Sequence, residues 1–249
     1  MSEWISYSDL AWTEPILAKP ADYAGEVMRF CEIIKKYAKI NVKNVLHLAC
    51  GAGVYDYTFK KHFTMTGVDI SEGMLKIAGK LNPEVSYHQG DMRKFNMKRK
   101  FDAVIVPDAI NYLTTLEDLE KTVDNAFTHL ESGGVFLTTV HTREEFRENN
   151  FAYTNADENY HITVFENNYI TDSDKSGYES TIIYLIRTNG KLDIHTDVHK
   201  LGLFAQDTWT DLLGRYSDEV YQERMDDLYD SFLLNEGAYP LTIFICVKR

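Results

Sequence analysis

"VLHLACGAGVY", residues 45–55, is the stretch whose reading decides the fold. An apolar run from Val45 to Ala49 passes into a turn holding Gly51 and Gly53, then into a stretch spaced Tyr55, Phe59, Phe63 like one face of a helix. Three ligand readings compete for such a strand-to-helix turn. A phosphate-gripping P-loop needs Gly-Lys-Ser/Thr at its end, and Val54 and Tyr55 follow Gly53 here. A dinucleotide fingerprint wants a third glycine where Asp56 stands. What remains is an adenosine ligand without a pyrophosphate, held by close backbone approach and by an acid at the end of the next strand.

Working outward, strand signals alternate with helix signals. Residues 44–49, 65–70, 85–89, 101–106 and 134–140 read as strands. Residues 22–39, 54–63, 71–81 and 115–130 read as helices, the last opened by a Thr114/Glu117 capping box and faced by Leu116, Leu119, Val123, Phe127 and Leu130. Such alternation implies parallel strands joined by right-handed crossovers, with ligands outside the strands' carboxyl ends where strand order reverses. After His141 the pattern changes. Segments 160–169, 177–188 and 191–201 read as strands separated by turns, which predicts an antiparallel insertion. A helix near 205–214, a strand near 218–224 and a last strand, "PLTIFICVKR", follow. The expected fold is thus α/β: a Rossmann-like, seven-stranded, mostly parallel sheet with helices on both faces, plus an antiparallel β insertion after the fifth strand. The expected organisation is one domain, with a helical cap over 1–40, a cofactor-binding core over 41–141, the insertion over 142–203 and the rest of the core over 204–249.

Composition narrows the function. Of 249 residues 44% are hydrophobic, enough for a packed interior, and no apolar run reaches the 18 residues that suggest a membrane span. The N-terminus places acids and aromatics where a secretory signal is basic and then apolar, so a cytoplasmic location is expected. Cys31, Cys50 and Cys246 lie far apart, which indicates neither a disulfide framework nor a metal site. A net charge of −12 opposes phosphate neutralisation and disfavours a nucleic-acid partner. The expected partner is a small molecule, and the chain is expected to be a monomer or homodimer.

Asp69, in "GVDIS", and the pair Asp91 and Met92, in "HQGDMRKF", follow the second and third strands. With the glycine turn, these residues resemble the class I S-adenosylmethionine-dependent methyltransferases over roughly residues 20–140. The resemblance implies S-adenosylmethionine as cofactor and S-adenosylhomocysteine as product. It places the methionine part at Ala49, Gly51 and Gly53, the ribose at Asp69, and the adenine at Asp91 and Met92. Ile70, Met74 and Pro107 complete the implied cofactor contacts. Two positions depart from the family pattern: His47 replaces an acid, and Ala49 replaces a glycine, a mild change. A protonated imidazole would repel a ligand carrying an ammonium and a sulfonium, whereas a neutral one can accept a hydrogen bond.

The layout and the stretches "DYAGEV", "GVDISEGMLKIA", "GDMRKF" and "VHKLGLF" are similar to a small-molecule branch that includes nucleotide-amino-sugar N-methyltransferases, although Tyr112 stands where those tend to have a histidine. In that branch the segment containing Tyr7 and Trp12 closes over the cofactor; hydrophobic anchoring of the terminus is the other reading. His199 and Tyr112 are the candidate catalytic residues, histidine as base for a protonated amine and tyrosine as positioning group. "LDIHTDVH" puts Asp193, His195, Asp197 and His199 on one strand face, read either as solvated or as lining the acceptor site, with metal binding disfavoured because alternate residues diverge along a strand. Cys50 is read as a packing residue. The acids from Asp207 to Glu236 are read as a solvated surface or as a cleft for an amine. The expected reaction is in-line methyl transfer, with N-methylation favoured; a noncatalytic S-adenosylmethionine-binding protein and an RNA-modifying enzyme are the alternatives.

Overall fold

Near-continuous burial of strands whose alternate side chains serve opposite faces sets the central layer. In the computed structural model, which describes residues 4–171, 173, 175–226 and 228–249, 3₁₀ turns at Ile5–Tyr7 and Ala11–Thr13 and the one-turn α1 (Glu14–Leu17) precede α2 (Ala24–Tyr37). The core then alternates: β1 (Asn44–Leu48), α3 (Asp56–Phe59), β2 (Thr64–Asp69), α4 (Glu72–Leu81), β3 (Ser86–Gln89), β4 (Phe101–Val106), α5 (Leu116–Thr128) and β5 (Leu130–Val140). β6 (Asn149–Ala156), β7 (Tyr160–Tyr169), β8 (Gly177–Thr188) and β9 (Lys191–Gly202) make the insertion, and α6 (Gln206–Gly214), β10 (Val220–Met225) and β11 (Leu241–Val247) close the chain.

The main sheet has the order β10-β11-β5-β4-β1-β2-β3. β11 is antiparallel to both of its neighbours, and the other neighbouring pairs are parallel. Alternate residues of β1 serve opposite layers: Val45 packs with Phe30, Ile34 and Phe59 of α2 and α3, while Leu46 and Leu48 pack with the side that holds Val123, Phe127 and Trp209 of α5 and α6. Phe30 and Trp209 are fully buried, so truncating either to alanine costs about 3–5 kcal/mol. Strand order reverses at β1, between β4 and β2, and this puts the ligand crevice at the turn after Leu48.

Sequence and structure differ locally, each time because packing or a cap overrides pattern. The helix expected over 54–63 is a single turn, since Asp56 is drawn inward by side-chain bonds described below. α5 is capped by Thr115, whose hydroxyl accepts from Asp118 N, one residue later than the expected box. Leu116 consequently sits outside, 47% exposed. Strand β6, whose "NNFAYTNA" is too polar to signal a strand, pairs with β7 from Asn149↔Asn168 to Ala156↔His161. The four insertion strands form their own antiparallel sheet in the order β6-β7-β8-β9. Along β9 the polar face is solvated only in its first half, where Asp193 is exposed and His195 half-buried; Asp197 and His199 are buried, whereas Ile194 and Val198 face outward. No helix among the described residues is long and apolar enough to cross a membrane.

Candidate active site

A cleft of about 830 Å³ opens at the carboxyl edge of the main sheet, bordered by the loops after β1, β2, β3 and β4, by the N-terminal segment and by β9. Of the residues expected at the cofactor, His47, Ala49, Gly51, Asp69, Ile70, Met74, Asp91, Met92 and Pro107 all line it. Gly53 does not. Its carbonyl accepts from Asn82 Nδ2 at 2.8 Å, and a Cβ there would fall 2.5 Å from the Tyr87 hydroxyl, so this glycine is required for packing beneath the turn.

The turn is built for close backbone approach. Ala49 takes φ 55°, a left-handed conformation that costs a non-glycine residue about 1–2 kcal/mol. The change from glycine is therefore less mild than the sequence suggests. Gly51 N donates to Asp69 Oδ2 and Ser71 N to Asp69 Oδ1, each at 2.8 Å. Asp69 thus ties the ends of β1 and β2 together while each oxygen keeps a further lone pair. Burial raises its carboxyl above the usual value, opposed by these same backbone bonds. Ser71 caps α4 by accepting from Met74 N, and its hydroxyl donates to Tyr7 O at 2.6 Å, which fastens the N-terminal segment over the cleft. Asp91 is committed elsewhere: Arg93 grips it through Nε, Nη2 and backbone N, and reaches Asp118 at 2.8 Å. Those bonds hold the Asp91 carboxyl below its ordinary range despite partial desolvation.

His47 is explained by a residue the motif treats as a departure. Asp56, fully buried, accepts from His47 Nδ1 at 2.8 Å and from the Tyr87 hydroxyl at 2.9 Å. A carboxylate only accepts, so in the neutral imidazole the proton sits on Nδ1 and the lone pair on Nε2. His47, itself on the cleft wall, then offers an acceptor where an acid is expected.

The other end of the cleft is assembled from distant parts. Asn111 Nδ2 donates to Gly202 O at 2.8 Å, and Gly202 is needed because a Cβ would lie 2.2 Å from Leu113 O. This close approach brings the end of β9 to the 3₁₀ turn that carries Tyr112. His199 Nε2 donates to Asp197 Oδ2 and Nδ1 accepts from the Tyr112 hydroxyl, both at 2.9 Å; Tyr112 in turn bonds the Tyr7 hydroxyl. Asp197 also accepts from Ser6 N and Ser6 Oγ at 2.8 Å. Against the desolvation that opposes it, the Ser6 and His199 bonds hold the Asp197 carboxyl below its usual range. Burial pushes the Tyr7 and Tyr112 hydroxyls far upward. His199 is 1% exposed, with both ring nitrogens engaged, and it does not line the cleft. As a base in direct contact with an acceptor it is corrected: what the cleft meets is Tyr7 and Tyr112, with His199 behind them.

Tyr7 and Trp12 part company. Tyr7 lines the cleft, whereas Trp12 lies 4.5 Å from the Tyr160 ring beside a separate cavity. The acids after Asp207 are also placed away from the cleft: Glu223 meets Lys36 and Arg29, and Asp218 meets Arg249, on the surface, while Asp227 lies outside the described residues. The acids that do line the cleft, besides Asp69, Asp91 and Asp118, are Glu14 and Asp108, which the sequence reading passed over. Asp108 had a signal, being the second residue beyond the apolar run "AVIV" at a strand's carboxyl end; Glu14 had none. Among the described residues no cluster of three or more His, Cys, Asp and Glu is arranged to hold a metal, and the three cysteines are free and buried.

Strand order and the cleft at the carboxyl edge are those of the Rossmann-like α/β fold that the sequence leads one to expect. Residues 45–134 match the family described as a methyltransferase domain. Among individual proteins, the chain is 38% identical over 123 residues to a dTDP-3-amino-3,4,6-trideoxy-alpha-D-glucopyranose N,N-dimethyltransferase of Streptomyces venezuelae, a match covering 49% of this chain and 52% of that one. A putative methyltransferase of Bacillus subtilis is 27% identical over 192 residues, 73% of this chain and 76% of that protein. The chain spans about half the length of the amino-sugar methyltransferase it matches. In fold it is similar to DesVI of Streptomyces venezuelae, with a TM-score of 0.77 at 24% identity over 97% of this chain and 96% of the other. It is also similar to the sugar N-methyltransferase KedS8 of Streptoalloteichus, with a TM-score of 0.74 at 21% identity over 97% and 92%.

The residues present fit the S-adenosylmethionine that the sequence resemblance implies. Asp69 retains lone pairs for ribose hydroxyls, His47 has an acceptor nitrogen for the amino-acid part, and the wall around Ala49 and Gly51 is backbone.

Proposed function

We propose that this chain is an S-adenosylmethionine-dependent N-methyltransferase acting on the amine of a small molecule, with an amino sugar as the acceptor class. The observation that carries the reading is the joining, in one cleft, of the Gly51–Asp69 turn and the Tyr7–Tyr112 pair backed by His199 and Asp197. When bound, the cofactor supplies an electrophilic methyl on a good leaving group. The work left to the protein is to hold the acceptor in line at near-attack distance, to exclude water and to accommodate an acceptor proton.

Three tasks fall to named residues. Asp69, Gly51, Ala49 and His47 hold the cofactor, with Ile70, Met74, Met92 and Pro107 as apolar walls and Asp91 contributing through Arg93 as much as directly. Tyr7 and Tyr112 position the acceptor. His199, oriented by Asp197, fixes the direction of the hydroxyl chain, since Nδ1 must accept from Tyr112 and leaves the Tyr112 oxygen free to accept from Tyr7. The amino-sugar methyltransferase named above supports an amine at a sugar carbon, and a net charge of −12 is consistent with a cationic acceptor rather than RNA.

The test is release of S-adenosylhomocysteine from purified protein offered S-adenosylmethionine with dTDP-3-amino-3,6-dideoxyglucose or, in parallel, dTDP-glucose. Release with the amine alone is expected. Tight cofactor binding with no turnover across a wider amine panel would replace this reading with that of a noncatalytic binding protein.

A further inference from the structure

With His199 behind the cleft wall, the acceptor's charge has to meet something else. Two carboxylates face the acceptor end of the cleft: Glu14, from α1, and Asp108, just beyond β4. Among the described residues no hydrogen bond or ion pair reaches either side chain, in a protein where Asp69, Asp91, Asp56 and Asp197 are all taken up by partners. Asp108 is held in place by its backbone, with N donating to Thr139 Oγ1 at 2.9 Å and φ at 55°. Asp108 is exposed at the cleft and Glu14 is half-buried, so both carboxylates stand where a cationic ligand can reach them.

The surroundings suit a cation. Trp4, Tyr7 and Tyr112 border the same end, with ring centroids of Trp4 and Tyr112 4.9 Å apart and of Tyr7 and Tyr112 5.8 Å apart. Aromatic faces next to carboxylates attract ammonium groups. Of the two cations that line the cleft, Arg93 is spent on Asp91 and Asp118, and Lys200 makes no ion pair with Glu14 or Asp108 among the described residues.

Resting on the function proposed above, we infer that Asp108 and Glu14 form the ammonium site of the acceptor, and that Asp108 is the group that receives its proton. The amine arrives as R–NH₃⁺ between the two carboxylates. One N–H bond breaks, an O–H bond forms at Asp108, and the electron pair stays on nitrogen as the lone pair needed for attack. The proton later leaves Asp108 to water, this residue being exposed at the cleft. Loss of hydration, with the charges of Glu166 and Glu14, raises the Asp108 carboxyl to about 7, where it can take and return a proton near neutrality. The other titratable groups that feel its charge are Glu26, which is also raised to about 7, and the hydroxyls of Tyr7, Tyr23, Tyr55, Tyr112, Tyr178, Tyr229 and Tyr239.

A binding comparison tests this without turnover. Sinefungin carries an ammonium on carbon where the cofactor carries its methyl, and S-adenosylhomocysteine carries neither. Calorimetry on wild type, Asp108→Asn and Glu14→Gln, each checked for folding by thermal unfolding, should show sinefungin bound at least tenfold more tightly than S-adenosylhomocysteine by wild type at pH 8. That ratio should shrink below pH 6. It should fall to within about threefold of unity in Asp108→Asn and to an intermediate value in Glu14→Gln. A wild-type preference for sinefungin that survives both substitutions, or no preference in wild type, overturns the ammonium site while leaving the cofactor reading intact. Failure of both ligands to bind wild type overturns the cofactor reading and this inference with it.

Discussion

The two ends of the cleft are made differently. At the cofactor end each wall comes from the first few residues after a strand, and the polar groups are already partnered: Asp69 by Gly51 and Ser71, Asp56 by His47 and Tyr87, Asp91 by Arg93. At the proposed acceptor end the contacts join parts of the chain far apart in sequence, Ser6 to Asp197, Tyr7 to Tyr112, Tyr112 to His199, and the carboxylates of Glu14 and Asp108 have no partner among the described residues. Preorganised groups bind a fixed ligand at little cost in reorganisation. Unsatisfied ones wait for charge that the substrate brings. The comparison assigns affinity for the cofactor to one end and selection of the acceptor to the other.

The largest effect that would break this division belongs to Asp69→Ala. It removes the ribose acceptor and releases the Gly51 and Ser71 N–H groups, so S-adenosylhomocysteine should bind about 30- to 1000-fold more weakly, roughly 2–4 kcal/mol, by calorimetry. Unchanged affinity would remove the cofactor end from this cleft. At the other end, Tyr112→Phe interrupts the chain between Tyr7 and His199. Single-turnover kinetics should show methyl transfer slowed by about 10- to 100-fold with cofactor affinity within threefold of wild type. A loss expressed mainly in cofactor affinity would mean that the two ends are not separable. His199→Ala is the less clean variant, because it also strands the buried Asp197 carboxylate.

Asp91→Ala sharpens the contrast within the cofactor end. Since Arg93 already occupies that carboxylate, the loss of cofactor affinity should stay below about tenfold, or about 1.4 kcal/mol. An effect as large as that of Asp69→Ala would show that Arg93 swings away on binding. The smallest change expected is a gain: Ala49→Gly relieves the left-handed backbone at φ 55° and should raise unfolding free energy by about 1 kcal/mol in urea melts.

A pH test separates the ends in the same spirit. Asp108 has a folded-state carboxyl raised to about 7, above its unfolded value, so it binds more protons folded than unfolded. Its contribution to stability is therefore present at low pH and is lost as pH rises from about 4 through 7. The melting temperature of Asp108→Asn should accordingly exceed that of wild type at pH 8, with the gap closing toward pH 4. His141, buried and lowered to about 4 by loss of hydration, works in the opposite sense, its contribution being lost as pH falls below about 6.5; it is common to both proteins and cancels in the difference.

The sequence by itself determined the main sheet and the cofactor end. Alternating strands and helices dictate parallel pairing, and the residues proposed to hold the cofactor follow directly on strands, so the positions of Gly51 and Asp69 are legible from spacing alone. It also placed the insertion after β5, missing only β6, whose polar residues carry no period. Tertiary structure alone decided that Gly53 packs under the turn, that Asp56 gives His47 its tautomer, and that His199 stands behind Tyr112 while Asp108 faces the cleft. Strand periodicity tells which residues share a face, but it does not say which of two faces another part of the chain will cover. On β9 the N-terminal segment and the turn after β4 cover Asp197 and His199 and leave Ile194 and Val198 outside, and only the folded arrangement of those distant segments settles that choice.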